Sequence, residues 1–353
     1  MPKGIGELTP LQTLKKFVVG TRTGGEVGGL DELNGLIGLR GELTIESLTN
    51  AVPVDLYVLK KQSCLQSLIL KWNERDDNGD YSSTNKDEEI LEKLCPHPNL
   101  KKLEIHHYGG LKLSSWLSSI TNLAEISLAG CWRCEYLPSL HQLPALKKLH
   151  ILNCPNLKAI DIEKEEEEWP CFPCLSHLEI LDCPNLTRMP LFPTVEQKLS
   201  LQRTSSQALV RTMKKAAPDT EEHMSSSYSC PPLSKLTHLK LEGIDDLESL
   251  PEEGMHNLTS LQELFIFECP RLASLPQAVQ HLPSLQTSNI WRCPQLSTER
   301  CSENEEEDII SLDFQKTSMG SAYPYCPKCS GQITKKVILR RRIPGQPQLG
   351  MFP

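Results

Sequence analysis

Leu123-Ala124-Glu125-Ile126-Ser127-Leu128-Ala129-Gly130-Cys131, continued through Cys134 to Leu137-Pro138, is the stretch on which the reading of this chain turns. It follows the pattern L-x-x-L-x-L-x-x-C/N-x-x-L-x-x-L-P. Leu261-Gln262-Glu263-Leu264-Phe265-Ile266-Phe267-Glu268-Cys269 repeats it, ending at Leu275-Pro276. Further copies open at Leu65, Leu100, Leu146, Leu175, Leu236 and Leu285, with weaker ones at Leu14-x-x-Phe17-x-Val19 and Arg40-x-x-Leu43-x-Ile45. Successive openings at 100, 123 and 146, and at 236, 261 and 285, are 23, 23, 25 and 24 residues apart.

A period of that size, with leucines at fixed offsets, predicts a leucine-rich-repeat solenoid of the α/β class. In each copy L-x-L is a short strand whose alternate side chains enter the core. Stacked strands form a curved parallel sheet on the concave face, and the convex side is irregular or short-helical. The expected organisation is a degenerate N-terminal repeat over 1–39, repeats over 40–189, a flexible insertion or decayed repeat over 190–232, repeats over 233–301, and a tail over 302–353. The 190–232 segment stretches one interval to 61 residues, with Leu199 and Leu201 as traces of a lost copy. The tail is acidic at Glu303 to Asp308 and basic from Lys328 to Arg342, which predicts disorder.

Composition agrees. Leucine supplies 55 of 353 residues while aromatics are 5%, a balance that favours a repeat over a single globular core. The net charge of −8 offers no general attraction to phosphate backbones or anionic membranes, and the basic tail alone argues for nucleic acid. Met1 to Glu7 lacks the apolar core of a signal peptide, and nowhere do about 18 apolar residues run together, so a cytoplasmic chain without a membrane span is expected. No P-loop, G-x-S-x-G or H-E-x-x-H string occurs, so the chain reads as a non-enzyme without cofactor or catalytic residues.

Cys131, Cys154, Cys183, Cys269 and Cys293 recur just after the strand, where a small, weakly polar side chain packs into the turn, so they read as reduced and structural. Cys326-Pro327-Lys328-Cys329 offers two of the four ligands that tetrahedral zinc needs, and no metal site is assigned. Binding chemistry falls instead to concave positions. In the middle copies these are polar: Lys102, Glu104, His106, His107, Glu125, Lys148 and His150. One column then runs through Leu152, Leu181, Glu242, Phe267 and Trp291, with Phe265 beside it and Arg292 after it. Large apolar groups where the repeat demands exposure point to a protein partner, so Phe265, Phe267, Trp291, Arg292, Leu152, Leu181, His106 and His107 are the candidate binding residues.

Several strings are more specific than the repeat: Met1-Pro2-Lys3-Gly4-Ile5-Gly6-Glu7-Leu8-Thr9, Phe17-Val18-Val19-Gly20, Leu39-Arg40-Gly41-Glu42-Leu43, His97-Pro98-Asn99-Leu100-Lys101-Lys102-Leu103, Gln142-Leu143-Pro144 and Cys293-Pro294-Gln295-Leu296. Together they resemble the repeat region of plant nucleotide-binding leucine-rich-repeat disease-resistance proteins of the coiled-coil class. That resemblance implies an intracellular immune receptor whose repeats recognise pathogen effectors or guarded host proteins and restrain a nucleotide-binding switch. The switch region is not in this sequence, and Ser114-Ser115 precede Trp116 where the family usually shows proline. An F-box ubiquitin-ligase receptor, which also carries cysteine-containing repeats, is the alternative.

Overall fold

A computed structural model describes residues 1–20, 27–54, 57–74, 84–141, 143–160, 172–214 and 231–296, with two further strands at 312–314 and 336–339. Each L-x-L element is a strand. In order they are β1 (Lys16–Val18), β2 (Arg40–Glu46), β3 (Cys64–Lys71), β4 (Lys102–His106), β5 (Glu125–Ala129), β6 (Tyr136–Leu137), β7 (Lys148–Leu152), β8 (Ala159–Ile160), β9 (His177–Cys183), β10 (Lys198–Thr204), β11 (His238–Glu242), β12 (Glu263–Phe267) and β13 (Thr287–Trp291). Eleven of them, all but β6 and β8, stack in chain order as one parallel sheet, and β6 pairs with β8 on the side. The chain folds as a leucine-rich-repeat solenoid.

The register shows why one coil cannot fold alone. Leu103, Ile126, Leu149, Leu178, Leu199, Leu239 and Leu264 pair in succession from β4 to β12 and are all buried. Ile105 to Ile266 form a second such column two residues on. Each leucine is covered by its counterparts in the coils above and below, so burial accrues by stacking. Side-chain amides add coil-to-coil bonds in the turns at both ends of the strands: before β5, Asn122 donates to Pro98 O at 3.1 Å, and after β7 and β9, Asn156 donates to Trp132 O at 2.7 Å and Asn185 to Pro155 O at 2.8 Å.

The convex side carries short helices, α1 (Thr84–Lys93), α2 (Gln207–Lys214) and α3 (Glu252–His256), among 3₁₀ turns such as Ser115–Ser119. That last turn begins without the family's proline: Ser114 holds the N-cap and its side chain accepts from Trp116 N. Trp116 is buried and its indole donates to Leu91 O of the neighbouring α1 at 3.0 Å.

Of the two readings of 190–232, flexible insertion or decayed repeat, the described residues have the second, and two strands stand in the tail where disorder is expected. The described part of 190–232 is a coil of the solenoid, with β10 paired on both sides and α2 following it. Val195 takes the opening leucine's place but stands four residues before Leu199, where every other copy has three, and this extra residue disguises the template. Residues 215–230 lie outside the described residues. In the tail, β14 (Leu312–Phe314) and β15 (Lys336–Leu339) extend the sheet, β15 antiparallel to β13 and β14 to β15. The unpaired edge of β13 offers a row of backbone donors and acceptors, which an extended segment satisfies in either direction. The rest of 302–353, including Cys326 and Cys329, lies outside the described residues.

Candidate protein-binding face

Counting each opening leucine as position one, positions three, five and seven of every strand point away from the core. In β4, β5, β7, β9, β11, β12 and β13 they are half-buried or more open while the two residues between them are buried. Position eight lies at or just past the end of the strand and turns the chain. Ser47, His107, Asn153, Asp182, Arg203, Glu268 and Arg292 all hold a positive φ at this turn, as do Gly130 and Gly243, over a range of 46° to 65°. The left-handed turn sends the chain from the sheet into the cysteine position, and its N–H bonds the next coil, as His107 N does to Ala129 O at 2.9 Å. Sequence reading places these residues on the open face but misses their shared backbone state, whose only sequence trace is the run of Gly, Asn and Asp among them.

From β4 to β11 this face is a ladder of paired charges. Glu125 takes Lys102 at 3.2 Å and Lys148 at 3.9 Å; Glu179 takes His150 at 3.3 Å and Lys198 at 3.8 Å; Glu242 takes Lys240 at 2.8 Å and Arg203 at 3.7 Å. Glu125 and Glu242 each sit between cations of two coils, and Glu179 sits between Lys198 and the His150 ring. Burial pushes the Glu104 carboxyl up, and hydrogen bonds from Lys102 and His106 overcome it and hold the group below its ordinary value. Burial also lowers His177, helped by Lys148, His150 and Lys198 around it. The Arg203 guanidinium hydrogen-bonds Asp182 and depresses that carboxyl.

His106 and His107 lie at the start of this ladder with ring centroids 6.5 Å apart, and His106 Nε2 is 3.0 Å from Glu104. Leu152 and Leu181 are register partners in β7 and β9 and form a two-residue apolar step at position seven. Next in that column come Gln202 and Glu242, which separate the step from Phe267 and Trp291. Gln202 escapes the sequence reading because β10 does. Its amide donates to Ser200 Oγ at 2.9 Å and its carbonyl accepts from Lys240 at 3.2 Å.

The column changes character at its end. Phe267 and Trp291 meet edge to face, centroids 5.2 Å apart and planes at 61°. The Arg292 guanidinium lies 4.9 Å from the Trp291 ring centre and 5.6 Å from that of Phe267, and its Nη1 is 2.6 Å from Glu268 Oε1. Phe265 shares the face two residues before Phe267, between Lys240 and Asn289 in register. All four are half-buried, so each ring spends part of its surface on its neighbours and presents the rest. Underneath, the turn cysteines serve packing: Cys154, Cys183, Cys269 and Cys293 each donate to the carbonyl two residues earlier at 3.4–3.6 Å. Among the described residues no three metal-capable side chains converge, and no helix is long and apolar enough to cross a membrane.

Comparison with known proteins agrees with this geometry. Residues 30–154 match the model of the family described as R13L1/DRL21 LRRs. The chain is 31% identical over 298 residues to the putative disease resistance protein RGA1 of Solanum bulbocastanum, covering 79% of this chain and 28% of that protein. It is 38% identical over 150 residues to the putative disease resistance protein At3g14460 of Arabidopsis thaliana, covering 40% and 10%. It therefore spans less than a third of the length of these relatives. Among solved structures, the crystal structure of the TLR13–ssRNA13 complex aligns with 82% of this chain and 41% of that one at a TM-score of 0.38 and 17% identity, too loose a likeness to add to the repeat geometry itself. The repeat register, the family match and these relatives place the chain as a leucine-rich-repeat region of the plant nucleotide-binding resistance-protein type.

Proposed function

We propose that this region is the recognition module of a cytoplasmic plant immune receptor, that it binds a pathogen effector or a guarded host protein, and that it holds a nucleotide-binding switch at rest. The observation that carries the reading is the contrast along the open face. Charges from β4 to β11 are satisfied by one another, whereas Phe265, Phe267, Trp291 and Arg292 form a cluster of the residue types that dominate protein interfaces. Leu152, Leu181, His106 and His107 extend the contact toward the middle coils as a weaker rim. The repeat fold and family are typical of protein-interaction modules, which supports a binding role.

The test is made in a full-length receptor carrying this region. Phe267→Ser with Trp291→Ser should abolish effector-triggered cell death in leaves while the protein accumulates normally. Undiminished cell death would contradict the reading. Restraint is tested separately: the region should co-immunoprecipitate with the nucleotide-binding part of a matching relative, and alone it should trigger no cell death.

A further inference from the structure

The turn cysteines fall into two sets with one stacking geometry and different access. Cys131 and Cys154 follow β5 and β7, Cys183 ends β9, and all three are buried. Cys269 and Cys293 follow β12 and β13; Cys269 is buried, and Cys293 is only partly covered. Phe267 and Trp291 are register partners, so the thiols two residues beyond them occupy equivalent places in adjacent coils. Neighbouring strands are about 4.8 Å apart, inside the ~4.4–6.8 Å range of Cα separations that a disulfide spans.

We infer that Cys269 and Cys293 are a reversible thiol–disulfide site, closed by a small hydroperoxide, that ties the β13 coil to the β12 coil. Cys293 is the sulfur an oxidant can reach. The Cys269 thiol beside it favours its thiolate, bringing its pKa from 9.0 down to about 7. That thiolate attacks the peroxide, the O–O bond breaks, and Cys293 becomes a sulfenic acid while hydroxide or alkoxide leaves and takes up a proton. Cys269 gives its proton to solvent and attacks the sulfenic sulfur; the S–S bond forms and hydroxide departs as water. Two thiols and one hydroperoxide thus yield a disulfide, water and a second water or alcohol, with two electrons passing from sulfur to peroxide. A dithiol reductant reverses it by exchange.

The buried set shows why partial exposure matters. Its residues recur at the same place in the repeat, but Cys131, Cys154 and Cys183 are at most 1% exposed, so peroxide meets them far less readily than Cys293. The Cys269–Cys293 bond closes a loop around the aromatic pair, since the two thiols donate to the carbonyls of Phe267 and Trp291 at 3.6 Å each. The site stands whether or not that pair binds a partner.

The full chain is treated with hydrogen peroxide, alkylated, and digested with trypsin, which cuts after Arg271 and Arg292. The peptide ending at Arg271 should be found linked to the one beginning at Cys293, forming at least tenfold faster than any link among Cys131, Cys154 and Cys183, and dithiothreitol should dissolve it. Cys269→Ser should leave a sulfenic acid at Cys293 that dimedone traps. The wild-type linkage decides the matter even if a variant folds poorly. Cys293 recovered only as sulfinic acid, linked instead to Cys301, Cys326 or Cys329, or untouched while exposed Cys64 and Cys174 react, would overturn the inference.

Discussion

The coils from β4 to β9 and the pair β12–β13 use one backbone and differ in what they show on its open face. In the first group Lys102, Glu125, Lys148, His150 and Glu179 answer one another across coils, and Glu104 answers Lys102 within its own. In the second, the same positions hold Phe265, Phe267 and Trp291. The lesson is that repeat geometry fixes where side chains stand, while recognition depends on which of them lack a partner at home. A charge already paired gains little from a visitor, because the new contact must replace an old one. An exposed ring gains by desolvation alone.

The largest effect should come from beneath the face. Leu149 is fully buried in the first core column, where Ser288 fills the corresponding place in β13 with a buried hydroxyl that has no hydrogen-bond partner among the described residues. Leu149→Ala should cost about 2–5 kcal/mol in denaturant unfolding, since cavity and transfer terms add. Ser288→Ala should instead stabilise by about 1 kcal/mol by removing an unsatisfied polar group. A loss on Ser288→Ala would show that the hydroxyl has a role the contrast ignores.

The aromatic end comes next. Trp291→Ala or Phe267→Ala should weaken partner association by about 1–3 kcal/mol in calorimetric titration while leaving unfolding nearly unchanged. Leu152→Ala and Leu181→Ala should weaken it less, because Gln202 and Glu242 separate that step from the rings. If the ring variants mainly unfold the protein, their exposed faces are doing structural work and the two regions differ less than proposed.

Backbone conformation gives a third and smaller contrast, at position eight. Gly130 holds φ at 65°, and a Cβ there would stand 2.8 Å from the His107 ring, so Gly130→Ala should destabilise by about 1–2 kcal/mol. Asn153 holds φ at 52°, which asparagine tolerates, and Asn153→Gly should be neutral within about 0.5 kcal/mol by thermal unfolding.

Much of this was legible in the chain. Positions one, four, six and nine carry Leu, Ile and Cys so regularly that the strands, the core columns and the turn cysteines follow from spacing, and the face follows from what lies between. What stayed hidden has local causes. A single added residue before Leu199 masks β10, and with it Gln202 and Arg203. The antiparallel pairing of β15 obeys no repeat, because an edge selects for extended backbone and not for a leucine pattern. The pairing of charges across coils needs the register, which brings Glu125 of one coil between lysines 23 residues away on either side.

The smallest predicted effect is a pH response confined to the polar coils. His177 sits below its ordinary value of 6.5 and Glu104 below 4.5, the first through burial and neighbouring cations, the second through hydrogen bonds that overcome burial. Both groups bind protons less readily folded than unfolded, so both contribute stability that is complete above those ordinary values and is lost as pH falls through the depressed ones. The decline should come in two steps, His177 first and Glu104 after it. Both side chains keep contact with water, and screening holds each step to about 0.5 kcal/mol or less. His177→Gln should flatten the first step and Glu104→Gln the second, read as amide hydrogen exchange in β4, β5, β7 and β9 across that acid range. Exchange that rises first and most in β12 and β13 would place the acid-sensitive part of the solenoid under the aromatic cluster, and the division between the two regions would fail.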